Sequence, residues 1–324
     1  GGDSKILAEH PESDLVSVLI HPRRYHAEAV SFETDRVKWL GLDASLKMDL
    51  TAMAALQGDA TIVSRNDADT IWYLLVNKPD TSPAFLRWNR VGRVATTLFS
   101  TRPRLAPYKL APMSPVRFEA RDGRAVRGYL TTPPGVEAKS LPLVLCVHGG
   151  PWVRDHWGFH PEAQWLASLG YACLQLNYRG SAGFGKAHLH AGDREWGAKM
   201  QDDLTDGVTW AVAQDIADAK RVAIYGGSYG GYAALAGAAF TPGVYRCAID
   251  VVGPSNLITL IKSIPPYWEP MKRIFDLRVG SVPGGIRRFG ARAAPPNAAD
   301  PGHDLGKRQL RLDDREVHVL VQPD

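Results

Sequence analysis

The feature that most restricts how this chain can fold is a serine held between glycines, where an apolar run meets a run of small residues. Residues 221–227 read RVAIYGG, Ser228 follows, and residues 229–235 read YGGYAAL. A buried strand, a Gly-x-Ser-x-Gly turn and the start of an apolar helix are typical of a nucleophile elbow, in which the serine hydroxyl projects above a sheet. Gly226 and Gly230 suit so tight a turn because a Cβ at either position would collide. The pattern predicts Ser228 as a catalytic nucleophile.

The alternative for this segment is a glycine-rich turn that only permits close packing or holds a phosphate. Neither Gly-x-Gly-x-x-Gly nor Gly-x-x-x-x-Gly-Lys-Ser/Thr occurs at the turn, which disfavours phosphate binding. A helix that begins at residue 229 would also add free N–H groups and a partial positive charge beside the serine, and both stabilise a developing oxyanion.

A second glycine segment lies about 80 residues before Ser228, where the apolar run LVLCV leads into His148, Gly149 and Gly150. A serine hydrolase with this elbow needs two backbone donors for the oxyanion, one from the residue after the nucleophile and one from an earlier strand-end loop. We therefore predict the N–H groups of Tyr229 and Gly150 as the oxyanion hole. His148 precedes these donors on the strand end, and we interpret it as orienting the loop by hydrogen bonding, with a catalytic base as the alternative.

Composition restricts the classes of partner. The 324 residues hold 38 Lys and Arg against 34 Asp and Glu, and this net charge of +4, without a basic stripe, predicts no nucleic-acid partner. The uncharged stretch 222–245 is long enough to span a bilayer, but six glycines and Pro242 interrupt it, so no membrane association is predicted. No metal-binding motif occurs, and no cofactor or metal is predicted. No secretory signal is visible, and the compartment is left open between the cytoplasm and, if an N-terminal signal was lost, the periplasm or the exterior.

The chain divides into three parts by pattern. Residues 1–110 contain short alternating runs about ten residues apart, which predict antiparallel strands of a partial β-propeller, with one helix where Leu46, Leu50, Met53 and Leu56 share a face. Residues 111–280 alternate buried strands with helices, including helices near 199–215 and 229–240, which predicts an α/β domain around a mostly parallel sheet. Residues 281–324 are rich in Gly, Pro, Ala and Arg, and only LDDREVHVLV near the end favours a strand.

Five segments together closely resemble the prolyl oligopeptidase family of serine peptidases, in its dipeptidyl-aminopeptidase and acylaminoacyl-peptidase branches. In chain order they are HGGPW, LNYRGSAGFGKAH, WGAKMQDDLTDGV, YGGSYGGYAAL and IDVVGPSNL. The resemblance is strong over about 115–280. It implies an α/β-hydrolase fold preceded by a β-propeller, and hydrolysis of short peptides through an acyl-enzyme on Ser228, with the Tyr229 and Gly150 N–H groups as oxyanion donors. No cofactor follows from it.

The resemblance weakens towards both ends, and we expect a chain truncated at both. About 100 residues are too few for a complete propeller. In the family the triad acid lies on the order of 80 residues past the serine and the histidine about 30 further on, whereas 96 residues follow Ser228. A makeshift triad from Asp304 and His318 is the weaker alternative. We therefore expect a peptidase impaired by the lack of the triad Asp and His, with a carboxylesterase on the same fold, or a non-catalytic fragment, as alternatives.

Two further groups of residues carry weaker predictions. Tyr267 and Trp268 follow the strand after the nucleophile helix and are candidates for a substrate pocket, with aromatic packing under a Pro-rich loop as the alternative. Asp202, Asp203 and Asp206 are interpreted as a solvated helix face or as partners of the dipole at the N-terminus of a helix, rather than as a metal site. The oligomeric state is left open.

Overall fold

The computed structural model describes residues 4–280, and it describes residues 306–312 and 315–321 as two strands. Residues 4–100 form an N-terminal module of antiparallel strands, in one sheet of order β1-β2-β3 and one of order β4-β5-β6-β7. Its strands are β1 (Leu15–Ile20), β2 (Ala27–Glu33), β3 (Val37–Gly41), β4 (Asp59–Arg65), β5 (Ile71–Asn77), β6 (Ala84–Asn89) and β7 (Val94–Ser100). These are blade-sized sheets, and the described residues do not close them into a propeller.

One helix separates the two sheets, as the apolar spacing predicts. Asp43 accepts a hydrogen bond from the Ser45 N–H and so caps a 3₁₀ turn at Ala44–Leu46, which leads directly into α1 (Lys47–Ala54). Leu46 and Met53 point into the core of the module, which also contains Trp72. The helix thereby covers apolar surface that the strands leave open.

The second part, residues 111–280 with the strands at 306–321, is built around an eight-stranded sheet and is called the α/β module here. The sheet order is β14-β15-β13-β12-β10-β11-β9-β8. Its strands are β8 (Met113–Glu119), β9 (Ala125–Thr131), β10 (Leu141–Val147), β11 (Ala172–Asn177), β12 (Ala217–Gly227), β13 (Cys247–Val251), β14 (Gly306–Leu312) and β15 (Arg315–Val321).

The prediction of a mostly parallel sheet is correct only for the four central strands. The four neighbours β11, β10, β12 and β13 are parallel, whereas β8 and β9 on one side and β15 and β14 on the other are antiparallel. A connection as short as residues 120–124 joins β8 to β9, and only antiparallel neighbours accept so short a turn. The tail also contains β14, a strand that its composition does not predict, beside the predicted strand β15.

Among the residues that the structure describes, six α-helices belong to the α/β module. They are α2 (Pro161–Ser168), α3 (Gly185–His190), α4 (Lys199–Ala213), α5 (Tyr229–Phe240), α6 (Leu257–Ser263) and α7 (Glu269–Arg278). Helix α5 is buried on almost every side, and Ala233 and Ala234 are wholly inaccessible, because small residues let it lie closely on β12 and β13. Within the part of the chain that the structure describes, no helix combines the length and the apolar character needed to cross a membrane.

Candidate active site

Ser228 lies at the turn between β12 and α5, at the carboxyl end of the central parallel strands. Its backbone has φ +57° and ψ −118°, a left-handed conformation that non-glycine residues seldom adopt. Hydrogen bonds on both sides hold this strained residue: its N–H donates to the Val251 carbonyl at 2.9 Å, and its own carbonyl accepts from the Tyr232 N–H at 3.0 Å. A strained residue persists only where the surrounding structure enforces its conformation, and such residues cluster at catalytic sites.

The glycines of the elbow are required by close backbone contacts. A Cβ on Gly226 would lie 2.5 Å from the carbonyl carbon of Gly230, and a Cβ on Gly230 would collide with the carbonyl oxygen of Val147 at the end of β10. The two glycines therefore let the first turn of α5 approach both β12 and β10.

The loop after β10 lies directly beside the nucleophile. A Cβ built on Gly149 would lie 3.5 Å from the Cβ of Ser228, and Gly150 has φ +109°, a conformation that favours glycine. The N–H of Tyr229 begins α5, where the first N–H groups have no partner within the helix. The structure thus brings Gly149 beside Ser228, with Gly150 next to it in the chain, and the assignment of the Gly150 and Tyr229 N–H groups as oxyanion donors stays a prediction.

The side chain of Tyr229 is part of the core. Its ring is 1% exposed, stacks on Tyr178 with ring centroids 5.3 Å apart, and meets Trp196 edge to face at 4.5 Å. Burial raises the pKa of the Tyr229 hydroxyl far above its usual value, so the group stays neutral. The aromatic packing fixes the position of the residue that begins α5, directly after Ser228.

His148 makes hydrogen bonds that stabilise the loop. Its Nδ1 lies 2.8 Å from the carbonyl oxygen of Gly149, and its Nε2 lies 3.1 Å from the Ser181 hydroxyl. The ring stacks on Tyr178 at 4.5 Å, and the Tyr178 hydroxyl donates to the His148 carbonyl at 2.9 Å. Both ring nitrogens are therefore occupied by groups other than Ser228.

The N-terminal module holds the same loop from the other side. The guanidinium of Arg154, four residues after Gly150, donates to the carbonyls of Glu33 at 2.8 Å and Thr34 at 2.9 Å. The carboxylate of Glu33 lies 2.9 Å from Nδ1 of His156. These contacts couple the position of the loop to the end of β2.

Asp203, near the start of α4, corrects the prediction of a solvated helix face. Asp203 is wholly buried and accepts hydrogen bonds from Arg179, through N at 2.8 Å, Nε at 2.9 Å and an NH2 group at 2.6 Å. Arg179 also binds both oxygens of Asp122, and this lowers the pKa of Asp122 to about 2. Asp206, one helical turn further along, pairs with the more exposed Arg121.

The structure does not bring a base to Ser228 within the part of the chain that it describes. No histidine side chain of the described residues hydrogen-bonds the Ser228 hydroxyl. In the backbone register, residue 318 of β15 lies opposite Asp250 and residue 317 opposite Val251. Asp304 lies outside the described residues, so the makeshift triad of Asp304 and His318 stays a prediction.

Tyr267 and Trp268 lie on a short 3₁₀ turn, Pro266–Trp268, that leads into α7. Their side chains are 81% and 51% exposed, and the rings meet edge to face with centroids 6.4 Å apart. This exposure is unlike aromatic packing under a loop. Their role in a substrate pocket stays a prediction.

Among the residues that the structure describes, one group has the spacing to hold a metal ion. It is formed by His26, Glu28 and Asp43 in the N-terminal module, whose ligand atoms lie within 4.8 Å of one another. The Glu28 carboxylate is already paired with Arg65 at 2.8 Å. Glu28 lies on β2, His26 directly precedes that strand, and Asp43 caps the 3₁₀ turn after β3, so this group is separate from the turn that carries Ser228.

A serine on a strained strand-to-helix turn, at the carboxyl end of a parallel sheet and beside a glycine loop, defines the class of the α/β-hydrolases. The sequence model of the prolyl oligopeptidase family matches residues 157–273. The chain belongs to this family of serine peptidases, and it is by family an enzyme.

Two curated relatives match most of the chain. It is 41% identical over 317 residues to dipeptidyl aminopeptidase BIII of Pseudoxanthomonas mexicana, a match that covers 95% of this chain and 43% of that protein. It is 35% identical over 300 residues to dipeptidyl peptidase family member 6 of Caenorhabditis elegans, which covers 86% of this chain and 40% of that protein. The chain thus spans less than half the length of these relatives.

A solved structure shares the fold. The acylaminoacyl peptidase of Pyrococcus horikoshii superposes with a TM-score of 0.64 at 21% identity, over 84% of this chain and 42% of that one. At this identity the likeness concerns the fold alone.

Proposed function

We propose that this chain carries the nucleophile and oxyanion hole of a peptidase that cleaves short peptides through an acyl-enzyme on Ser228. The strained backbone of Ser228, with the Gly149 backbone against it, is the main support. The names of the two curated relatives, a dipeptidyl aminopeptidase and a dipeptidyl peptidase, support small peptides as the substrate class.

In the proposed reaction the Ser228 hydroxyl oxygen attacks the carbonyl carbon of the scissile peptide bond while its proton passes to a base. The carbonyl oxygen becomes an oxyanion, and the N–H groups of Tyr229 and Gly150 stabilise it. The amine leaves with a proton, and water then hydrolyses the ester on Ser228. Each oxyanion donor in such a site contributes about 10²–10³ in turnover.

The base is the part of the machinery that the described residues do not supply. Without one, the Ser228 hydroxyl stays protonated at neutral pH and attacks slowly. We therefore propose that the 324-residue chain is impaired, and that binding and the oxyanion hole, worth roughly 10³–10⁴ over water, supply most of its remaining rate. A makeshift base at His318 would remove this impairment.

A pair of substrates tests the type of bond cleaved. The 324-residue chain and its Ser228→Ala variant are assayed with a dipeptide p-nitroanilide, which is an amide, and with the p-nitrophenyl ester of the same dipeptide. A peptidase site gives slow hydrolysis of both substrates at rates above those of Ser228→Ala, which keeps only the contribution of binding and the oxyanion hole. Ser228-dependent hydrolysis of the ester alone would instead favour the carboxylesterase. Hydrolysis of neither above the variant's rate would favour a non-catalytic fragment.

A further inference from the structure

A groove of about 750 Å³ lies beside α2, and the residues that line it all precede Ser228 in the sequence by 60 positions or more. Its walls are the segment 101–111, which joins the two modules, and one side of α2. The charged and aromatic side chains that line it are Arg102, Arg104, Lys109, Tyr108, Phe159 and Trp165. The volume is within the range of small-molecule sites, roughly 300–1,000 Å³.

The charges on the groove all have one sign. Arg102, Arg104 and Lys109 line it, and no acidic side chain does. None of the three cations forms an ion pair with an acid in the described part of the chain. Such a concentration of unpaired positive charge favours an anionic ligand.

The body of the groove is apolar and aromatic. Trp165 is 63% exposed and Tyr108 is 69% exposed, although aromatic rings of this size are usually covered. Leu105 and Phe159 line the same space, and the guanidinium of Arg102 lies 5.4 Å from the centre of the Phe159 ring. An apolar ligand body would cover these rings.

Internal hydrogen bonds hold the two walls together. The Gln164 side chain on α2 accepts from the Ala111 N–H at 2.8 Å and donates to the carbonyls of Ala111 at 2.9 Å and Pro79 at 2.8 Å. The hydroxyls of Thr101 and Ser168 donate to the carbonyls of Pro83 and Trp165. The groove is therefore formed in advance, and its neutral polar groups are largely occupied.

These properties favour an alkyl chain over a peptide. The main chain of a bound peptide would need hydrogen-bond partners, whereas an alkyl chain has no such groups to satisfy. We propose that the groove binds a small amphiphilic anion, a carboxylate with an alkyl body, whose charge faces Arg102, Arg104 and Lys109 and whose chain covers Trp165. Because the ligand would contact both the joining segment and α2, its binding stabilises the folded chain.

Dodecanoate, kept below its micelle concentration, is the probe. Calorimetry gives its affinity, and tryptophan fluorescence reports contact with Trp165. The Trp165→Phe variant is expected to lose the fluorescence change and to keep the affinity within about threefold. Changing Arg102, Arg104 and Lys109 to Gln together is expected to weaken binding by about tenfold or more, a loss of about 1.4 kcal/mol per tenfold.

The control is a second triple variant, in which the exposed Arg23, Arg24 and Lys38 of the N-terminal module are changed to Gln. It removes the same charge away from the groove and is expected to bind dodecanoate like the unaltered chain. Dodecyltrimethylammonium, with an equal chain and the opposite charge, is expected to bind at least about tenfold more weakly. Equal binding of the two surfactants, or equal loss in both triple variants, would overturn the proposal.

Discussion

Replacing Asp203 by Asn removes a charge from the interior of the α/β module with almost no change in shape. The wholly buried carboxylate accepts three hydrogen bonds from Arg179, and an amide in its place turns an N–H₂ group towards a guanidinium that also donates. Removing one partner of a buried ion pair costs about 3–5 kcal/mol. Because Asp122 still binds Arg179 at 2.7 and 2.9 Å, we expect the lower end, a loss of about 3 kcal/mol in the free energy of unfolding.

Thermal unfolding of the 324-residue chain measures this loss. At about 2–4 °C per kcal/mol, the Asp203→Asn variant should unfold about 6–12 °C lower. Asp206→Asn is the matched control, because Asp206 lies on the same helix and its partner Arg121 is half exposed. That variant should lose no more than about 1 kcal/mol. Equal shifts for the two variants would refute the conclusion that burial of the Arg179 pair determines its contribution.

Two other changes test local features of the α/β module. Gly230→Ala should yield no soluble folded protein, because the new Cβ collides with the Val147 carbonyl. Gly243→Ala is the control and should leave the yield unchanged, because a Cβ there meets nothing within 4 Å. An equal yield of folded protein for the two variants would contradict the packing of α5 on β10. Burial lowers the pKa of His188 in the folded chain to about 4, whereas an exposed histidine has a pKa of about 6.5. Between these two pH values the unfolded chain binds a proton on His188 and the folded chain does not. Stability should therefore fall as the pH drops from about 6.5 to 4, and chemical denaturation at each pH should give a shallower fall for His188→Asn.

The elbow is predictable from sequence because everything that shapes it is local. The strand, the glycines and the small helix residues follow one another within 15 residues, and the structure ends β12 at Gly227 and begins α5 at Tyr229. Helix α4 runs from Lys199 to Ala213, close to the predicted 199–215, because apolar periodicity is also a local signal.

Features that depend on distant partners are not visible in the same way. Asp203 has the pattern of a solvated residue, and its burial follows from Arg179, which lies 24 residues earlier at the end of β11. The antiparallel edges of the sheet likewise follow from turn lengths and strand order rather than from the composition of each strand. For the same reason the loop contact between Arg154 and the end of β2, across about 120 residues, has no local signal in the sequence.

The most direct test of the central claim is the reaction of the 324-residue chain with a fluorophosphonate probe, which phosphonylates activated serines. Mass spectrometry locates the adduct, and Ser228→Ala serves as the control. If Ser228 is a positioned nucleophile without a base, the probe should modify Ser228 alone, more slowly than it modifies a relative with a complete triad. Modification that persists in Ser228→Ala would contradict the assignment of Ser228 as the nucleophile. A rate of modification equal to that of the relative would contradict the proposal that Ser228 lacks a base.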